Sequence, residues 1–509
     1  MKRISKYLLV LVGACSLSCD ALELGAEDFY SINNYWNSES QCERFMVGLH
    51  ARLRSRSRSF LVMGELRGGL LSTATTTSIG ESAADLPVVQ NNLSESNPGV
   101  TNWGNFYMDI YQINHAIDKI SGACEFLSDQ TRSTFLGQLY GLRAYYYFHL
   151  LRTWGGVPLC DRPDVLMTDD ISQLNKARST ERETWQFVRD DAERSCLCYE
   201  SLGFEHYKGK NCYWNKAASL CLKAEVCLWG AQVKPIGEET VLSPDPEADL
   251  KAACDALTAV EAQYGFCPSF ADVFSPAGKD QNREIILALR FKLGEATNDF
   301  GDFTYNPTLI TKFLDADGNR LANPFNIASG ALRYEYTRAF YDRIDDADTR
   351  KRATFLQFYD RNADNEIVPA GRSLRKFLGE VNNGRVQFTN DYPLYRYMDV
   401  ALMLAEVNNC LDRPEEVKRW IERARMRAYG AAAMPAFVYT DAEAAAEAIL
   451  AERSIEFVAE GKRWYDIRRM LGGKHALELV GGDERKLVWP IDAGVLAKDN
   501  LVEQNEGYR

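Results

Sequence analysis

The paired acids and the cysteines are the residues of this chain whose spacing could do chemistry. Glu452 and Glu456 stand one helical turn apart, which would put two carboxylates on one face, as general acid and base work at a glycosidic bond requires. Arg453, Lys462, Arg463, Arg468 and Arg469 crowd the same segment, so ion pairing that fixes the helix is favoured over catalysis. The five histidines, at 50, 115, 149, 206 and 475, keep no ligand spacing, and there is no Gly-x-Ser-x-Gly elbow. Cys196-Leu197-Cys198 has no nearby histidine and no second cysteine pair at zinc-finger spacing. Thr153-Trp154-Gly155-Gly156-Val157-Pro158 lacks the Lys and Ser/Thr of a phosphate loop and reads as a helix stop. No metal or cofactor is expected, and no enzyme activity.

One cysteine has a different chemistry in prospect. Lys2, Arg3 and Lys6 precede an apolar run, Tyr7 to Leu17, that ends in Ser18-Cys19-Asp20. This is the pattern of an export signal, well short of the ~20 residues that cross a bilayer. A cysteine at the cleavage point can carry acyl chains, so Cys19 is expected to anchor the chain to a membrane by lipid. Cys15, after Val12-Gly13-Ala14, is the rival position. Residues 1–18 then form the signal and 19–38 a tether.

Composition narrows the rest. The 509 residues include 59 basic and 71 acidic side chains, a net charge of −12, which argues against phosphate-backbone binding. The cluster Arg52, Arg54, Arg56 and Arg58 is accordingly read as the margin of a solvated element and not as a nucleic-acid patch. Thirteen cysteines in an exported chain are compatible with one or two disulfides, but many lie in apolar helical patterns, and no pairing follows from spacing.

The dominant period along the chain is helical. Phe106–Ile120, Thr134–Thr153, Glu183–Tyr199, Asn215–Ala231, Leu250–Tyr264, Tyr392–Cys410, Glu415–Tyr429 and Asp441–Leu471 each repeat apolar residues three and four apart. Strand-like alternation is scarce. Small residues stand beside large aromatics, as Gly141 and Ala144 do beside Tyr145 and Tyr146, a packing habit of tetratricopeptide-like helix pairs. The expected fold is mainly α. Long irregular stretches at 72–101, 232–247 and 294–330 read as functional loops or disorder.

Five blocks resemble one family. Arg143-Ala144-Tyr145-Tyr146-Tyr147-Phe148, continuing to Gly155-Gly156-Val157-Pro158, is similar to a signature of the SusD/RagB outer-membrane lipoproteins of Bacteroidetes. Pro393 to Glu406, Trp420 to Arg427, Glu452 to Arg469, and Trp489-Pro490-Ile491 through Gln504-Asn505-Glu506-Gly507-Tyr508 are similar to four more, in the family's order. Met398, Asp492 and Glu506 depart from the family's usual Ala, Pro and Pro. The resemblance implies an α/α superhelix of four tetratricopeptide-like helix pairs with a loop-rich lobe, divided into 39–231, a connecting segment with a helix at 232–280, and 281–509. It also implies a lipid-anchored protein on the cell exterior. Such a protein captures a nutrient, most often an oligosaccharide and in some members a peptide, for a SusC-like TonB-dependent transporter.

Under that resemblance the ligand surface needs flat aromatic faces for the apolar side of a sugar ring, with Arg, Asn and Asp for its hydroxyls. Two regions supply this mixture. One is Arg67 with the polar loop that ends in Asn102-Trp103; the other is the segment 298–306 with Phe300, Phe303 and Tyr305. Trp103 also suits the core, because it opens the apolar face Trp103, Phe106, Tyr107, Ile110, and Arg67 equally suits a buried structural role. A peptide ligand, a glycosidase and a purely structural scaffold are the competing readings.

Overall fold

The structure is a computed structural model that describes residues 35–73, 85–100, 103–164, 174–204 and 211–509. Cys15, Cys19 and Asn102 lie outside the described residues. Ten longer helices carry the fold: α1 Glu39–Ser55, α2 Gly104–Gly122, α3 Asp129–Trp154, α4 Glu181–Cys198, α5 Lys216–Gln232, α6 Pro246–Glu261, α7 Tyr397–Cys410, α8 Pro414–Tyr429, α9 Ala442–Glu456 and α10 Arg463–Arg469. Local chemistry starts them. Ser128 caps α3 by accepting from the Thr131 N–H at 3.1 Å, Thr180 and Glu183 form a capping box on α4, and Asn215 and Asp441 cap α5 and α9. Gly155, at φ 77°, ends α3 as the two-glycine signal predicts.

Helices α2 to α9 pack in sequence, α2 on α3, α3 on α4, α4 on α5, α5 on α6, α6 on α7, and α7 on α8 and α9. The result is the superhelix of tetratricopeptide-like helix pairs that the family resemblance implies. Glycines set how closely neighbours approach. A Cβ at Gly141 of α3 would stand 2.0 Å from the Trp214 indole nitrogen, and one at Gly230 of α5 would stand 2.2 Å from Trp185. Helix α3 is buried on nearly every side from Thr134 to Trp154. Its Arg143 is therefore paired inside, bidentate to Asp191 at 2.6 and 2.9 Å.

Two expectations are corrected. Residues 392–396 belong to a strand and not to the start of α7: β8, Tyr392–Arg396, pairs antiparallel with β2, Ile285–Leu289. All ten residues are buried, so no polar alternation marks them. The stretch 441–471 is two helices, broken where Ala459 and Gly461 take φ of 58° and 70°. Strand is scarce among the described residues, as expected, and includes a hairpin of β4, Phe355–Arg361, and β5, Ile367–Leu374.

Nor do the four arginines at 52 to 58 simply edge a solvated element. Arg52 and Arg56 meet the buried Asp109 of α2 at 3.2 and 2.8 Å, Arg54 meets Glu295 at 2.5 Å, and Arg58 reaches both Asp85 and Asp302. They tie α1 and the turn after it to both halves of the chain.

Candidate functional site

The acid pair of α9 is locked into structure. Glu456 is fully buried and receives Arg396 at 2.7 Å, Arg350 at 3.1 Å and Arg427; Glu452 receives Arg425 at 2.6 Å and Arg350 at 2.8 Å. Burial alone would raise the Glu456 carboxyl, but Arg427, Arg396 and Arg350 outweigh it and hold the group far below the usual carboxylate range. A carboxylate clamped by three guanidiniums stays ionised and has no proton to give. Among the described residues, no three His, Cys, Asp or Glu side chains are grouped to hold a metal ion.

The two regions expected to bind ligand do come together. Arg58 bridges Asp85, within the first loop, and Asp302, in the second, at 2.6 Å from Asp302; Tyr334 also donates to Asp85. The strip 301–304 runs beside 331–334, joined by the N–H of Ala331, Leu332 and Arg333 to the carbonyls of Gly301, Thr304 and Asp302. Burial of Asp299 pushes its carboxyl up, with Arg58 pulling it down and Asp302 adding to the rise.

Arg67, Trp103, Phe300, Phe303 and Tyr305 are all buried, which agrees with the core reading of Trp103 and the structural reading of Arg67 and corrects the expected surface place of Phe300, Phe303 and Tyr305. Arg67 is 1 % exposed: it donates to Asn91 at 2.9 Å and to the carbonyl of Lys486 at 2.8 Å, and its guanidinium stacks 4.1 Å from the centroid of Trp464. Burial brings its pKa down to about 10. Trp103 sits edge-on to Trp154 and Tyr107, at 5.8 Å from each. Phe300 stacks on Phe377 at 3.7 Å and 6°, and Phe303 packs against Tyr334 and Tyr336. In each case the apolar ring gains more from the core than from a wet loop surface.

Tyr305 leads from that core to the surface. It is itself buried, and burial pushes its hydroxyl up to about 12. That hydroxyl donates to Asn323 Oδ1 at 2.8 Å and accepts the Phe325 N–H at 2.8 Å, while its ring lies 5.7 Å from the Phe325 ring. Phe325 is only half-buried, and Arg375, exposed at the end of the hairpin, holds its guanidinium 5.1 Å from the Phe325 centroid. Arg375 has no carboxylate or carbonyl partner for its guanidinium among the described residues.

The backbone fixes this platform. Asn323 and Asn326 adopt φ of 53° and 48°, the left-handed region that asparagine tolerates best after glycine. Asn323 Oδ1 accepts the Ile327 N–H at 3.1 Å, and the Val386 N–H donates to the Asn326 carbonyl at 2.9 Å. Phe325 was missed in the sequence because its ring is one among several on a polar loop. The signal was Asn323-Pro324-Phe325-Asn326, two turn-forming asparagines around an aromatic.

A second concavity runs along the outer face of α8. It is an open groove of about 580 Å³ lined by Phe266, Met426 and Met434 with Arg423 and Arg427. Both arginines are committed to carboxylates, Arg423 to Glu261 at 2.9 Å and Arg427 to Glu284 at 3.0 Å. Glu415, Lys418, Arg419 and Glu422 also line the groove, so its apolar surface lies among charged side chains.

Known proteins decide the family. A solved SusD superfamily protein from Bacteroides fragilis superposes with a TM-score of 0.84 at 35% identity, covering 93% of this chain and 100% of its own. The chain belongs to the SusD family. The SusD family model matches residues 277–485, and a model described as starch-binding associating with outer membrane matches 68–226. The structure of B. fragilis NanU is 30% identical with a TM-score of 0.83, covering 95% of this chain and 100% of that one. SusD-like protein P38 of Formosa agariphila is 23% identical across 100% of this SusD-family chain and 99% of its own length. Among the described residues, no helix is long and apolar enough to cross a membrane.

Proposed function

We propose that this SusD-family protein captures an oligosaccharide at the cell surface on the face built around Phe325 and Arg375. The carrying observation is the guanidinium over a half-exposed ring on a turn already fixed by hydrogen bonds, which supplies a stacking face and several unspent donors at little ordering cost. Tyr305 supports that face from below, Phe303 packs the neighbouring core against Tyr334 and Tyr336, Arg67 and Trp103 hold the first loop against the core, and Asn102 lies on that loop as a further candidate contact. The description of the family model over 68–226 supports a saccharide ligand and an outer-membrane address.

In this reading Cys19 carries the lipid, residues 19–38 give the body reach, and the sugar passes to a SusC-like TonB-dependent transporter. The chain binds and does not cleave. Incubation with a panel of oligosaccharides tests the reading: saturable binding without product formation supports it. Turnover, saturable binding of peptides alone, or no ligand in the panel contradicts it.

A further inference from the structure

Helix α1 is pinned to the body by two sulfurs. Cys42 on α1 and Cys124, two residues beyond the end of α2, are each 0% exposed, and their Sγ atoms stand 3.8 Å apart. Among the described residues no other pair of cysteine sulfurs is in contact. Neighbouring groups hold both ends of the contact. Trp36 donates its indole N–H to His115 of α2 at 3.2 Å and packs 4.8 Å from Phe45 of α1. Arg132 of α3 donates to the Cys124 carbonyl at 2.8 Å. A disulfide needs an S–S separation of about 2.05 Å, so the sulfurs must close by less than 2 Å, roughly what a side-chain rotation provides.

We propose that Cys42 and Cys124 form a disulfide in the exported protein, stapling the helix nearest the tether to the helix pairs. The bond forms by exchange with a protein disulfide of the oxidising compartment. One cysteine thiolate attacks the oxidant's disulfide, giving a mixed disulfide and releasing the oxidant's first thiolate. The second cysteine thiolate then displaces the oxidant's other sulfur. The chain loses two protons and two electrons, and the oxidant leaves as a dithiol. Because both sulfurs are shielded in the folded protein, and burial pushes the Cys42 thiol up to about 12, exchange takes place before α1 docks. The staple closes the segment between residues 42 and 124 and passes any pull on the tether directly into α2.

The inference rests on the export reading, so two preparations separate them. The full chain is refolded from the reduced, denatured state with oxidised and reduced glutathione, alkylated without reductant, digested and mapped by mass spectrometry. A peptide joining Cys42 to Cys124 is expected; both thiols alkylated would overturn the proposal. The native chain is mapped in the same way from its membrane fraction. Joined peptides there support the bond in the exported protein, and free thiols in membrane-bound chain overturn it. A chain absent from the membrane fraction would defeat the anchoring reading and leave the refolding result to decide the bond. In the oxidised protein, reductant should lower the Tm by about 5 °C, and C42A, C124A and the double variant should share one reductant-insensitive Tm. Additive losses with no effect of reductant would mark mere packing and overturn the staple.

Discussion

The guanidinium of Arg375 lies 5.1 Å from the ring centroid of Phe325, and the two residues reach that contact from opposite directions in the chain. Phe325 comes from an asparagine-bounded turn held by the Tyr305 hydroxyl, and Arg375 from the residue just after β5. The contact is where the helical scaffold gives way to a surface able to stack on a ring and donate to hydroxyls.

Tyr305 is predicted to act on binding without touching ligand. Tyr305→Phe keeps the ring but removes the acceptor of the Phe325 N–H and the donor to Asn323. A loss of about 1 kcal/mol in stability is expected, with severalfold weaker sugar binding by calorimetry. Unchanged affinity would mean that the turn is fixed without the hydroxyl.

The buried charges of the C-terminal half predict a large cost for breaking one partner. Glu456→Gln leaves Arg396, Arg350 and Arg427 around a neutral amide, and guanidinium denaturation should show about 3–5 kcal/mol lost. A loss below 1 kcal/mol would indicate that water or Glu460 and Glu284 fully compensate.

Acid should act through the same cluster. Glu456, Glu460 and Asp466 are buried, which alone would raise them, yet arginines and lysines hold all three below their ordinary values of 4.5, 4.5 and 3.8. Folding thus favours their ionised forms. The stability they contribute is complete above 4.5 and is lost as pH falls below it. The denaturation midpoint should be nearly flat between about pH 7 and 5 with respect to these groups and drop steeply below about 4. E456Q should flatten that drop.

Close helix packing predicts intolerance at Gly141. Gly141→Ala places a methyl 2.0 Å from the Trp214 indole nitrogen, which is itself held by Ser219 at 2.9 Å. About 1–3 kcal/mol should be lost, measured by thermal or chemical denaturation. Gly122→Ala, where the new methyl meets nothing within 4 Å, is the control and should cost little.

The helices were legible because their apolar faces recur with the helical period and their starts carry capping residues. Strand β8 was not, since Tyr392 to Arg396 is buried on both faces and reads as an extension of α7. The lobe regions were legible as polar loops with aromatics, and the two do meet through Arg58. Which ring faces outward was not legible. Phe303 and Phe325 have similar neighbours in sequence, and only pairing with residues far along the chain, such as Arg375 and Val386, buries one and leaves the other half-exposed.

The most direct measurement is titration calorimetry of the intact protein and Phe325→Ala with the oligosaccharide that binds best in a panel. The substitution should weaken binding at least tenfold, about 1.4 kcal/mol, with the Tm within about 1 °C of the unsubstituted protein because the ring is only half-buried. Equal affinity in the two proteins, with both folded, would contradict the assignment of the ligand surface to Phe325 and Arg375.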